Sequence, residues 1–222
     1  MGLSLSRLIP GVLVACVAAS AANAQVHTLY ENNFESGRLG SEWTGPTSVD
    51  SHYQRNFSVF NGRYTNDTVT LTLNSAPNPG VGKYNLYTLR FDLYIIDSWD
   101  GNNQSYGPDT FKVALGNTEL FLETFANQDT NQTYPRRPDA GPYQMGFNSS
   151  WKDSIYRNIA VQFTAPQGEK LKLSFSGKNL QSMSDESWGI DNVRVRYEAV
   201  PAPGAAALLG MGGLLAARRR RS

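Results

Sequence analysis

The sequence predicts an all-β fold, a two-sheet antiparallel sandwich of jelly-roll or concanavalin-like form. Three observations carry this. Apolar and polar residues alternate with period 2 along residues 26–198, turn-forming residues separate the alternating runs, and no stretch there shows a 3.6-residue apolar stripe of helical length. Eight to ten short strands, each with one inward face, suit two packed sheets.

The elements follow in order. Val69, Leu71 and Leu73 mark an early strand. Thr88 to Ile95 sets Leu89, Phe91, Leu93 and Ile95 on one face and Thr88, Arg90, Asp92 and Tyr94 on the other. Phe111, Val113 and Leu115 alternate, and Gly116-Asn117 then predicts a hairpin turn into Leu120 and Leu122. Ile159, Val161 and Phe163 repeat the pattern, as do Leu171, Leu173 and Phe175, and finally Val193, Val195 and Tyr197. Two polar segments interrupt this rhythm, 97–110 and 126–150. Loops of such length in a compact domain are usually functional or disordered, so a site is expected there.

Of the 222 residues, all 19 acidic ones lie within 25–199, whereas Arg7 and Arg218 to Arg221 account for five of the 20 basic residues. The middle segment is therefore acidic and shows no basic stripe along the sequence, which argues against nucleic acid as a partner. It also holds all 4 Trp, 11 Tyr and 10 Phe, too aromatic a composition for a disordered chain. One domain of ordinary size fits residues 25–199.

The ends read as addresses. In residues 1–24, Arg7 is followed by an apolar run from Leu8 to Ala19 and an A-x-A cleavage site at Ala22 and Ala24, the pattern of a signal peptide. Leu13-Val14-Ala15-Cys16 has the look of a lipoprotein box, but Val17 to Ala19 continue the apolar run where a polar tether is expected. Ordinary cleavage removes Cys16, the single cysteine, and leaves no thiol chemistry. At the other end, residues 200–222 combine Pro201 and Pro203, 14 apolar residues from Gly204 to Ala217, and Arg218, Arg219, Arg220 and Arg221. As a transmembrane helix that span would measure about 21 Å, short of the roughly 30 Å hydrocarbon core, with the arginines held on the cytoplasmic side.

This tail resembles a PEP-CTERM sorting signal, with Ala202 where the family usually has Glu. The resemblance implies a Gram-negative exported protein processed by an exosortase-type enzyme, with transient inner-membrane association and a final place at the cell surface or in the extracellular matrix. A plain C-terminal anchor is the alternative.

Hard oxygen donors cluster on the first polar segment, where Asp97, Asp100 and Asp109 accompany Asn102 and Asn103. Calcium takes six to eight oxygens, so these acids are metal candidates together with some other chain segment. Rings that stack on pyranose faces are expected among Trp99, Tyr106, Tyr134, Tyr143 and Trp151. Arg136 and Arg137 sit on the second segment. Trp43, Trp151 and Trp188 adjoin strand patterns and fit core or sheet-edge packing better, whereas Trp99, flanked by polar residues, suits exposed binding and loop packing equally.

A second resemblance lies at the ends of the domain. Asn32 or Asn33, Phe34, Glu35, Gly37 and Trp43 at the start, and Ile190-Asp191-Asn192-Val193 at the close, resemble the end motifs of bacterial carbohydrate-binding jelly-roll modules. The resemblance implies adjacent first and last strands sharing a structural calcium, with Glu35 and Asp191 as ligands. Their alternative roles are capping a turn and bonding backbone.

Catalysis is not expected. His27 and His52 are isolated, and no nucleophile elbow or phosphate loop occurs. Asp185, Glu186 and Asp191 are the acids a hydrolase or lyase would have to use. The function expected is calcium-supported binding of extracellular polysaccharide. A structural matrix protein with protein partners is the alternative.

Overall fold

The computed structural model describes residues 25–52, 57–77, 84–128 and 131–199. The signal and its cleavage residues Ala22 and Ala24, Cys16, and the tail with Pro201, Pro203 and Arg218 to Arg221 lie outside the described residues. Among those described, there is no helix, and so none long and apolar enough to cross a membrane.

The chain forms a two-sheet antiparallel β-sandwich. Its strands are β1 (His27–Asn32), β2 (Trp43–Thr44), β3 (Val49–His52), β4 (Phe57–Tyr64), β5 (Thr68–Asn74), β6 (Tyr84–Asp97), β7 (Thr110–Leu115), β8 (Thr118–Thr124), β9 (Ala140–Tyr143), β10 (Asp153–Pro166), β11 (Lys170–Lys178) and β12 (Glu186–Ala199). One sheet runs β3-β4-β12-β6-β10-β9, with β1 also on β12, and the other runs β2-β5-β11-β7-β8. The first and last strands pair antiparallel from His27↔Tyr197 to Asn32↔Val193, as the end-motif resemblance implies.

The alternating residues do what their period dictates. Leu89, Phe91, Leu93 and Ile95 of β6 meet Val69, Leu71, Phe111, Val113, Leu173 and Phe175 of the other sheet in one buried core. Phe91 touches Phe111 and Phe175 across the sheets, with centroids 6.0 and 5.6 Å apart. Burying one such aromatic contributes about 2–3 kcal/mol relative to leaving it in water. Tyr94 and Ile96 point the other way, into a second cluster with Phe57, Phe60, Met145 and Ile155. The end of β6 is thus buried on both faces, because the 140–147 segment covers the outer side of its sheet.

Three details differ from the sequence reading. β6, β10 and β12 have 14 residues each rather than being short. The 126–150 segment is not one loop, because β9 pairs with β10 through Asp153↔Tyr143 and Ile155↔Ala140. The Gly116 turn forms, with φ +56°. Beyond it, however, the register shifts between Val113↔Phe121 and Ala114↔Glu119. That shift turns Leu122 outward, 45% exposed, and leaves Leu120 and Phe121 packed on the core.

Candidate functional site

At one end of the sandwich β6 finishes at Asp97 and β12 begins at Glu186, and these two residues are cross-strand partners. The chain leaving β6 is folded back at once by Trp99. Its indole Nε1 donates to the Ser187 carbonyl at 2.9 Å, and its own carbonyl accepts the Asn127 N–H at 2.8 Å. Its ring meets the edge of Phe125. Trp99 is 0% exposed, so it is not a sugar-stacking ring. It anchors the loop by packing and by the hydrogen bond that a buried indole requires.

The turn that follows is tight. Gly101 has φ +62°, and a Cβ there would lie 2.4 Å from the Asn131 carbonyl oxygen. The Asp109 N–H donates to the Gly101 carbonyl at 2.9 Å, and the Asp100 N–H donates to Asp109 Oδ2. Asp100 and Asp109 are thereby brought beside Glu186, and one carboxylate oxygen of each lies within 4.8 Å of the other two. Glu186 Oε2 accepts the Gln181 N–H at 2.7 Å. Glu186 Oε1 and Asp109 Oδ1 are buried and receive no hydrogen bond unless the two carboxyls share a proton. Burial, above all, raises the proton affinity of both acids, and for Glu186 the neighbouring Asp109 and Asp100 add to it.

Of the acids predicted as metal ligands, Asp100 and Asp109 are brought together with Glu186, while Asp97, Asp191 and Glu35 have hydrogen-bond partners of their own. Asp97 faces a different set of partners. Its Oδ1 accepts the Asn148 N–H at 3.1 Å, and Oδ2 stands 3.5 Å from the Arg63 guanidinium. Desolvation and then Asp153 push its pKa up to about 7, against the opposing pull of Arg63. Asp191, also buried, is already solvated by protein. Ser58 Oγ and Tyr94 OH donate to its Oδ2 at 2.7 and 2.9 Å, and the Asn192 N–H donates to Oδ1 at 2.6 Å. Glu35 is exposed and accepts the Val59 N–H at 3.1 Å. Asp191 and Glu35 thus reach adjacent residues of β4 and act there as hydrogen-bond acceptors. Sequence reasoning had set Glu186 among hydrolase acids. The one signal for its role as a third acid here was its place at the start of the last strand.

The remaining predicted rings divide. Tyr106, 66% exposed, sits on the 97–110 loop, and Tyr143, 48% exposed, ends β9. Trp151 is half-buried. Tyr134 packs on Phe125 and Tyr156, with centroids 4.9 and 5.4 Å apart, and its remaining surface lines a cleft of about 580 Å³. Arg136, Arg137, Pro138, Pro142 and Tyr156 line the same cleft. Gln132 holds its wall together. Its Oε1 accepts from the Ala126 N–H and Tyr156 OH, both at 3.1 Å, while its Nε2 donates to the Tyr134 and Arg136 carbonyls. Arg136 Nη2 donates to the Arg157 carbonyl at 2.7 Å and to Asp139 at 3.2 Å. Ala126 lines the cleft and also forms a β-bridge with Asp100, so cleft and carboxylates lie on two sides of one backbone contact.

A second, smaller depression of about 290 Å³ was not legible in the sequence. Arg90 of β6 lies directly opposite Arg194 of β12, and Arg157 joins them. The pairing of β6 with β12 groups these arginines, which the linear charge pattern did not reveal, and Arg194 is ion-paired with Glu31. Asp92 within it accepts from the Asn158 N–H and the Asn192 amide.

No protein-family model matches the chain, and no curated protein is similar to it in sequence. Among solved structures, it is similar to TmCBM27, a carbohydrate-binding module described by its specific mannan recognition. The identity is 16% over 78% of this chain and 98% of that one, with a TM-score of 0.35. It is also similar to CBM22-1, the xylan-binding domain of Xyn10C from Paenibacillus barcinonensis. There the identity is 13% over 82% of this chain and 100% of that one, with a TM-score of 0.31. At these scores the shapes agree only in part, and the assignment of a β-sandwich rests on the chain's own two sheets.

Proposed function

We propose that this is a non-catalytic exported protein of the cell surface or extracellular matrix, whose sandwich binds extracellular polysaccharide in the Tyr134–Arg137 cleft. The observation that carries the reading is the make-up of that cleft. Tyr134, Pro138 and Pro142 offer apolar surface suited to the C–H faces of sugar rings, with buried Tyr156 behind them, and Arg137 supplies N–H donors at the same place. A volume of about 580 Å³ is of the size that holds small ligands. Among the described residues that line it there is no carboxylate, where glycoside cleavage would need an acid pair. Glu186 and Asp191, two of the three acids a hydrolase would use, are buried elsewhere. The reading includes processing of the tail by an exosortase-type enzyme with transient inner-membrane association, supported by its likeness to a PEP-CTERM signal, and calcium support of the loops, supported by their acidic oxygen donors.

The alternative, a structural matrix protein that contacts other proteins, gains from one observation. Burial removes Trp99, the strongest stacking ring, from the sugar-binding set, which leaves exposed Tyr106 and Tyr143 to serve protein contacts as readily. Retention of the purified protein on the producer's own extracellular polysaccharide separates the two. Retention that Arg137→Ala weakens supports the cleft. No retention, in calcium or in chelator, ends the polysaccharide reading and leaves the matrix scaffold.

A further inference from the structure

Asp100, Asp109 and Glu186 differ from a solvated acidic patch. They come from three separate points of the chain, after β6, before β7 and at the first residue of β12, and the fold brings their oxygens within 4.8 Å of one another. Asp109 and Glu186 are 0% exposed. Each nevertheless keeps one buried oxygen, Oδ1 and Oε1, that no donor satisfies unless the two carboxyls bond each other by sharing a proton. Among the described residues, the ion pairs are made elsewhere, and no Lys or Arg pairs with Asp109 or Glu186. Buried carboxylates without a counter-charge are costly, and groups of this kind are paired or coordinate a metal.

We infer that Asp100, Asp109 and Glu186 hold a hard divalent cation of the calcium class, which fastens the 97–110 loop to the first residue of β12. Two oxygens on opposite sides of a calcium ion lie about 4.6–5.2 Å apart, and around magnesium about 4.0–4.2 Å. Three oxygens all within 4.8 Å of one another can share one such ion. The all-oxygen, all-carboxylate donor set is that of a hard cation. Asp100 is half-buried, so water can complete the coordination from its side. A proton shared between Asp109 and Glu186 is the competing way to satisfy the two orphan oxygens, and the test separates them. The site stands independently of the polysaccharide reading.

The protein, stripped with chelator and freed of it, is titrated with calcium chloride alone by calorimetry. A parallel titration with terbium is read through tryptophan excitation, since Trp99 adjoins Asp100 and Trp188 lies two residues past Glu186. One ion per chain, sensitised terbium emission and its displacement by calcium are expected. Glu186→Gln and Asp109→Asn should each weaken calcium binding at least about tenfold, as a lost ligand charge does. Glu186→Gln tests this without unfolding, because its amide can donate to Asp109 and should keep the chelated melting temperature at or above that of the chelated wild type. Glu35→Gln should leave the affinity unchanged. Absence of binding to the wild type leaves the shared proton and overturns the inference. Equal affinity in Glu186→Gln and Asp109→Asn, or loss through Glu35→Gln alone, places the ion elsewhere and overturns it too. Calcium bound where no polysaccharide is retained would count against the proposed function and leave this site intact.

Discussion

The indole N–H of Trp99 donates to the carbonyl of Ser187 at 2.9 Å, tying the first residues after β6 to the second residue of β12. This bond sets the direction of the loop that carries Asp100 toward Glu186. Trp99→Phe keeps a buried ring but leaves the Ser187 carbonyl without its donor. The variant should lose about 2 kcal/mol of stability, measured by urea unfolding, because an orphaned buried acceptor costs about 1–3 kcal/mol. An unchanged midpoint would mean that the loop is not anchored there.

A shared acceptor governs the closing motif. Ser58 Oγ and Tyr94 OH both donate to Asp191 Oδ2. Tyr94→Phe and Ser58→Ala should each cost about 2 kcal/mol, the range for a bond to a charged acceptor. Because they serve one oxygen, the double variant should depart from additivity by about 0.5 kcal/mol or more in a double-mutant cycle.

Calcium-free protein should lose stability as pH rises. Asp97 titrates near 7 when folded instead of 3.8, and Glu186 near 8 instead of 4.5. Between those values the folded chain holds protons that the unfolded chain has released, so ΔG of unfolding falls with increasing pH. The contribution is complete below about pH 4 and is lost as pH climbs through about 7 to 8. Melting temperatures in chelator should decline across this window. Saturating calcium should flatten the decline by displacing the proton from the Asp109–Glu186 pair. A melting temperature that rises with pH in chelator would contradict this.

Two glycines with positive φ should respond differently to alanine. Gly141 has φ +99°, and a Cβ there would stand 2.2 Å from the Asp153 carbonyl oxygen, so the wall of the cleft must shift. Gly116 has φ +56° and open space around it. Gly141→Ala should cost at least about 2 kcal/mol and Gly116→Ala about 1 kcal/mol, both read from denaturant midpoints.

What the sequence made legible follows from how locally each feature is determined. Leu89 to Ile95 declare a strand because their alternation needs no knowledge of what covers them, and Gly116 declares its turn through its backbone freedom. In the opening motif, Phe34 is core and Gly37 turns with φ +69° to donate its N–H to the Phe34 carbonyl at 2.8 Å. Trp99 misled because its neighbours in sequence are polar, whereas its burial comes from Phe125 and Ser187, distant along the chain. Asp100 and Asp109 were legible as oxygen donors. Their third partner, Glu186, was not, since only the pairing of β6 with β12 brings it there. Leu122 shows the smallest cause of error: one bulge in β8 reverses the face on which a correct alternation lies. The Tyr134–Arg137 cleft rests on Gln132, whose four hydrogen bonds have no local sequence signature.

Polysaccharide held in the Tyr134–Arg137 cleft must touch the residues that line it. Backbone amide shifts of the labelled protein should be followed by NMR while oligosaccharides cut from the producer's extracellular polysaccharide are added. Saturable shifts concentrated in residues 132–142 and at Tyr156 are expected, with their loss in Arg137→Ala. Shifts gathered instead around Arg90, Arg157 and Arg194, or no shifts at all, would contradict it.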